Sequence, residues 1–256
     1  MNEKKYKLGL VLSGGGAWGY AHLGLLQAME EYGIAPDIVS GTSMGALIGA
    51  LYADGYSAKE IMEIAEQINF LHFASIHLPT RGLLEMKWPE KLLKSVLRAD
   101  TFEKLKKPLV VTSVNLTKGE VVHFRSGSLI DKIIASASVP IIFKPVVIDG
   151  DDYVDGGLLD NFPVLTIRDE CEKIIGMNVQ PESKHRKMKN LIQIAEQSFF
   201  LSLRTQGTSK AELCDVYLEP KEINSTMFDV VSAKKIAVYG YDIARKTLDG
   251  YLLSEN

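Results

Sequence analysis

Ser43 stands in Gly41-Thr42-Ser43-Met44-Gly45, a G-x-S-x-G run between a short apolar segment and a helical pattern. A serine at a sharp strand-to-helix turn has its hydroxyl pushed out at the carboxyl end of a sheet, and small residues such as Gly41 and Gly45 let that turn form. Such a serine can act as a nucleophile, which requires a base. The histidines offer poor settings for one. His22 falls in a helical pattern, His72 and His77 in an apolar stretch, His123 in a strand pattern, and His185 in the charged run Lys184-His185-Arg186-Lys187. A carboxylate is the other source. Val154-Asp155-Gly156-Gly157 follows a short strand, and the loop glycines Gly156 and Gly157 let the backbone turn sharply enough to bring Asp155 near another loop. A third run, Ser13-Gly14-Gly15-Gly16-Ala17-Trp18-Gly19, also joins a strand to a helix. Exposed N–H groups of Gly14, Gly15 and Gly16 at a helix N-terminus can hold a developing oxyanion. The same residues admit a dinucleotide reading, because Gly14, Gly16 and Gly19 match G-x-G-x-x-G. That fingerprint asks for an acid at the end of the second strand; here Ser40-Gly41 end it and Asp37 begins it. Each run taken alone is also compatible with a plain tight turn.

The elements that must hold these loops follow from the apolar pattern. Leu8–Leu12 reads as a buried strand, Ala17–Tyr32 as a helix closed by Gly33, Asp37–Ser40 as a second strand and Met44–Ala53 as a second helix. Ser57-Ala58-Lys59-Glu60 is a capping box that starts a third helix running to about Ile68. Pro108–Leu116 and Glu120–Phe124 are predicted strands, Leu129–Ser138 a helix, and Asp149-Gly150 the turn of a hairpin between Val146–Ile148 and Asp152–Val154. Strands at Lys173–Val179 and Asp215–Leu218 and helices at Leu191–Arg204 and Ser232–Leu253 complete the reading. Strands alternating with helices predict an α/β fold with a mainly parallel sheet covered on both faces. The stretch 69–105 breaks the pattern and is expected to be an insertion over the sheet. Within it, Leu92, Leu93, Val96 and Leu97 form an apolar face beside Lys91, Lys94 and Arg98. Such a segment either packs on the core or acts as a lid at a lipid surface.

The three glycine-bearing runs, in this order, resemble the patatin-like phospholipase family of Ser–Asp acyl hydrolases. The likeness extends to Ala135-Ser136-Ala137-Ser138-Val139-Pro140, Phe143-Lys144-Pro145-Val146 and Asn161-Phe162-Pro163-Val164, and spans about Leu8 to Val164. It implies a three-layer α/β/α sandwich formed by one domain over residues 1–256. It also implies a Ser43–Asp155 dyad, an oxyanion hole in the Gly14–Gly16 loop and a lipid or other acyl-ester substrate. The family usually reads G-G-G-x-R-G, whereas this chain has Trp18 at the arginine position. Trp18 supplies no cation for an anionic headgroup, though it can stack on a ligand or fill a gap. Two other functions remain open at this point: a catalytically weak lipid-binding or regulatory protein, and a dinucleotide-binding oxidoreductase.

Composition narrows the classes further. Of 256 residues, 46% are hydrophobic and 24% charged, which excludes disorder for most of the chain. A net charge of −3 lacks the basic excess of a nucleic-acid binder. Cys171 and Cys214 have no metal-ligand spacing and are too few for a disulfide framework. The apolar run after the N-terminal lysines is too short for a signal peptide, and no run reaches the roughly 18 residues of a membrane span. The expectation is a cytoplasmic protein with peripheral membrane contact at most, no metal, no cofactor and no nucleic-acid partner.

Overall fold

The computed structural model describes residues 4–67, 87–180, 194, 197–203, 208–223 and 231–254. In chain order its main elements are β1 (Tyr6–Leu12), α1 (Ala21–Glu31), β2 (Ile38–Thr42), α2 (Met44–Ala53), α3 (Ala58–Gln67) and α4 (Lys87–Val96). Then come β3 (Leu109–Asn115), β4 (Glu120–Phe124), α5 (Ile130–Ser136), β5 (Val146–Ile148), β6 (Asp151–Asp155), β7 (Cys171–Met177), β8 (Val216–Leu218) and α6 (Ala233–Ser254). Residues 197–203 are also helical.

The sheet order is β5-β6-β3-β2-β1-β7-β8, with β4 also paired to β3. The five strands from β3 to β8 are parallel, and β4, β5 and β6 pair antiparallel. β2 and β3 are buried along their whole length, as strands covered on both faces must be. Side-chain alternation divides the core. Leu10, Leu12, Val39, Val111, Ile175 and Met177 join the cluster that holds the buried faces of the helices. Val11, Ile38, Val110 and Ile174 join a second cluster with Phe162, Val164, Ile167 and Cys171. Among the described residues, the cover on that second side is loop and short 3-10 turns, at Val164–Thr166 and Thr208–Leu213. The last helix crosses α1 at backbone contact: a Cβ on Gly24 would lie 2.2 Å from Ala237 O, and one on Gly240 would lie 2.3 Å from Ala21 O.

The predicted capping box forms, with Ser57 N–H donating to Glu60 Oε2 (2.7 Å) and Glu60 N–H to Ser57 Oγ (3.2 Å). The Asp149-Gly150 hairpin turn forms with both residues at positive φ, as a type I′ turn requires. Several predicted boundaries shift, three of them for a visible reason. The single helix over 17–32 divides into a 3-10 turn, Gly16–Tyr20, and α1, because Gly16 leaves the loop at φ 55 and the chain tightens there before straightening. β2 continues through Gly41-Thr42, because β3 still offers ladder partners there. β7 starts and ends two residues earlier, at the ends set by its register with β1, and Val179 N–H turns instead to Ser13 Oγ.

Helix α4 carries the apolar face expected of the insertion. Leu93 is in the core, and Val96 and Leu97 pack half-buried against it. For Leu93, core packing is thus the reading the geometry supports. Of the expected insertion, residues 69–86 lie outside the described residues, as do the charged run 184–187 and residues 191–193, 195–196 and 204 of the helix expected over 191–204. Among the described residues no helix is long and apolar enough to cross a membrane.

Candidate active site

Strand β3 brings the separated loops together. Its residues 111–115 pair with β4 along one edge. On the other edge β2 pairs as far as Thr42↔Thr112, and β6 takes over from Ser113↔Asp155. β2 runs parallel to β3 and β6 antiparallel, so the two strands meet end to end, each by its carboxyl terminus. Ser43, the next residue after β2, and Asp155, the last of β6, therefore face one another although 112 positions separate them.

Ser43 Oγ donates a 2.6 Å hydrogen bond to Asp155 Oδ2. The serine sits at φ 53, ψ −121, a strained conformation that few non-glycine residues hold. Its neighbours keep it there. Ser43 N–H donates to Ser136 Oγ (2.9 Å), which in turn donates to Thr112 O (2.5 Å). Gly45 lets α2 start against β1: a Cβ there would lie 2.2 Å from Leu12 O. Gly41 packs under the same turn, against Gly45 O.

Asp155 is 1% exposed. Its N–H donates to Ser138 O (2.9 Å), and its Oδ1 accepts from Gly157 N–H (2.7 Å). Burial pushes its carboxyl up to about 7, against the opposing effect of the bonds from Ser43 and Gly157. Gly156 lets the loop press on β3, since a Cβ would lie 2.3 Å from Thr112 O.

The glycine loop lies beside the serine: a Cβ on Gly14 would be 3.0 Å from Ser43 Cβ. Gly14 N–H donates to Asn161 O (3.2 Å), so of the three expected oxyanion donors this one is already used. The Gly15 and Gly16 N–H groups have no hydrogen-bond partner among the described residues. Ser13 anchors the loop, with its N–H on Met177 O, its Oγ on Gly14 O and its own carbonyl accepting from His22 Nε2 (2.9 Å). His22 is fully buried, and burial lowers its pKa to about 4, so it is a neutral donor behind the loop. His123 Nδ1 pairs with Thr112 Oγ1 (3.1 Å) and its other nitrogen is 3.9 Å from Asp160. Neither histidine bonds Ser43; His72, His77 and His185 lie outside the described residues.

Asp37, the acid weighed for a dinucleotide, is at the far end of β2, where its Oδ2 accepts from Lys7 and Leu8 N–H. Trp18 is buried, edge-on to Phe200 at 4.9 Å, and thus fills the core. Among the described residues no group of His, Cys, Asp and Glu could hold a metal ion. Ser13, Ser136 and Asn161 were not singled out as site residues by sequence. The signal was that Ser13 opens the glycine-bearing run and that Ser136 and Asn161 fall in blocks that resemble the family.

Residues 10–167 match the family model of patatin-like phospholipases. Lysophospholipase NTE1 of Kluyveromyces lactis is 27% identical over 275 residues, covering 91% of this chain but 18% of its own length. An NTE family protein of Mycobacterium tuberculosis is 32% identical over 174 residues, 63% of this chain and 45% of its own. YqhO of Bacillus subtilis is 28% identical over 270 residues and covers 89% of this chain and 92% of its own. The chain therefore spans under half of the yeast and mycobacterial proteins and nearly all of the Bacillus one. The fold is similar to that of VipD from Legionella pneumophila, with a TM-score of 0.57 at 18% identity over 96% of this chain and 67% of that one. With the family model covering more than half of its length, the chain belongs to the patatin-like phospholipase family.

Proposed function

We propose that the chain is a lipid acyl hydrolase that cleaves carboxylic esters through Ser43 and Asp155. The observation that carries this reading is the 2.6 Å bond from Ser43 Oγ to the buried Asp155 carboxylate, which burial pushes up to about 7. A carboxylate of ordinary acidity is a weak base, and desolvation brings this one close to neutral pH, where general bases work best. Asp155 Oδ2 takes the hydroxyl proton as Oγ attacks the ester carbonyl. The oxyanion is held by Gly15 and Gly16 N–H. Collapse expels the alcohol, which leaves with the proton from Asp155, and the acyl group stays on Ser43. Water then gives its proton to Asp155 and attacks the acyl-enzyme; the fatty acid departs and the proton returns to Ser43. Lipid esters as substrates are supported by the family and by the yeast relative's lysophospholipase name. The chemistry uses no metal and no cofactor, and lipid substrates call for peripheral contact with a membrane surface.

The test is turnover of short p-nitrophenyl esters and of lysophospholipid. Ser43→Ala and Asp155→Asn should each abolish both with the fold kept, and the double variant should be hardly worse, because residues acting as one unit give non-additive losses. Near-native turnover by folded Ser43→Ala would falsify the assignment.

A further inference from the structure

Asn161 is 1% exposed and touches both loops of the site. Its backbone carbonyl accepts from Gly14 N–H (3.2 Å), and its Nδ2 donates to Gly14 O (3.3 Å). A Cβ on Gly14 would lie 2.5 Å from its Oδ1, and a Cβ on Gly157 would lie 3.0 Å from the same atom. The side chain thus fills the space between the glycine loop and the Gly157 N–H that orients Asp155. Ser13 Oγ is the second donor to Gly14 O (3.0 Å). A peptide group is planar and no cis bond occurs among the described residues, so C=O of Gly14 and N–H of Gly15 point in opposite directions. Whatever holds the Gly14 carbonyl therefore aims the Gly15 N–H.

We infer that Asn161 is a positioning residue for the oxyanion hole: by gripping both polar groups of Gly14 it turns the Gly15 N–H outward and sets its distance from the Ser43–Asp155 pair. The inference rests on the proposed ester hydrolysis. Its consequence is specific to charge that develops on the carbonyl oxygen, since an N–H that is misaimed still permits substrate to bind.

The test compares a short soluble ester with the matching thionoester, whose sulfur is a poor hydrogen-bond acceptor and gains little from the hole. Outright removal of an oxyanion donor costs about 10²–10³ in rate. Asn161→Ala, which loosens a donor without deleting it, should lower kcat on the ester about 10- to 100-fold with KM nearly unchanged, and the ester-over-thionoester preference should shrink. Asn161→Asp keeps the size of the side chain but turns a carboxylate oxygen toward Gly14 O, and should behave alike. An unchanged preference in a folded variant overturns the inference, whatever happens to kcat. Failure of both variants to fold overturns it too, making Asn161 a folding residue. Ser43→Ala, assayed beside them, separates the two levels. Turnover retained there defeats the hydrolase reading itself, whereas an inactive Ser43→Ala beside a wild-type preference in Asn161→Ala defeats only the positioning role.

Discussion

At the scale of single residues, the proposed mechanism couples catalysis and stability through one proton on Asp155. Its carboxyl goes from the ordinary 3.8 to about 7 on folding, chiefly by burial. Because the base must be ionised to accept the Ser43 proton, kcat/KM on a soluble ester should rise tenfold per pH unit on the acid side and level off above about pH 7. The same shift has a stability sign. Between about pH 4 and pH 7 the native protein keeps a proton that the unfolded chain has released. The contribution of Asp155 to stability therefore falls as pH rises through that window and stays constant above it. Asp155→Asn has nothing to titrate there, so its melting temperature should gain on that of the wild type between pH 4 and pH 8. A parallel pair of melting curves would contradict the buried-carboxylate account. The two loops were legible in the sequence, since G-x-S-x-G and D-G-G are local patterns, but the pairing of Ser43 with Asp155 came only with the family resemblance that the runs carry together. The residues that steady the pair were not legible. Ser136 supports Ser43 from 93 positions away and Asn161 supports Gly14 from 147, and nothing local in a serine or an asparagine announces such a partner.

At the scale of elements, α4 ties the insertion to the body. Leu93 is 2% exposed, Arg98 N–H donates to Asp54 Oδ2 (2.7 Å), and the Arg98 guanidinium lies 4.1 Å from the centre of the Tyr56 ring. Leu93→Ala should cost about 2–5 kcal/mol, the range for a buried leucine that leaves a cavity. It should lower the urea midpoint while leaving the turnover of the folded fraction on short esters intact. A loss of vesicle hydrolysis at unchanged stability would return this leucine to a lipid-facing role. The amphipathic pattern could not by itself separate the two readings, because a core and a lipid surface ask for the same stripe. Strand and helix identities were readable nearly throughout, because their periodicities are local. Their ends moved by one or two residues wherever a ladder partner from another part of the chain extended or released them, as β3 does for β2.

At the scale of the whole molecule, the parallel sheet and its helical cover were legible from strand and helix alternation, but the end-to-end meeting of β2 and β6 on β3 was not. It arises from pairing between strands far apart in the chain, which no motif encodes. On the proposed mechanism, that meeting also sets when reactivity is expected to arise during folding. Contacts of long sequence separation form late, because loop closure must precede them. A collapsed chain with only α1 and α2 in place has a serine but no base beside it. In a refolding experiment, labelling of Ser43 by a fluorophosphonate should consequently recover with the slowest phase, after far-ultraviolet dichroism has returned. Labelling that recovers in the earliest phase would mean the serine is reactive before the sheet closes. If the order holds, an unfinished chain cannot attack lipid, and the sheet acts as a timer that withholds the nucleophile until the architecture around it is complete.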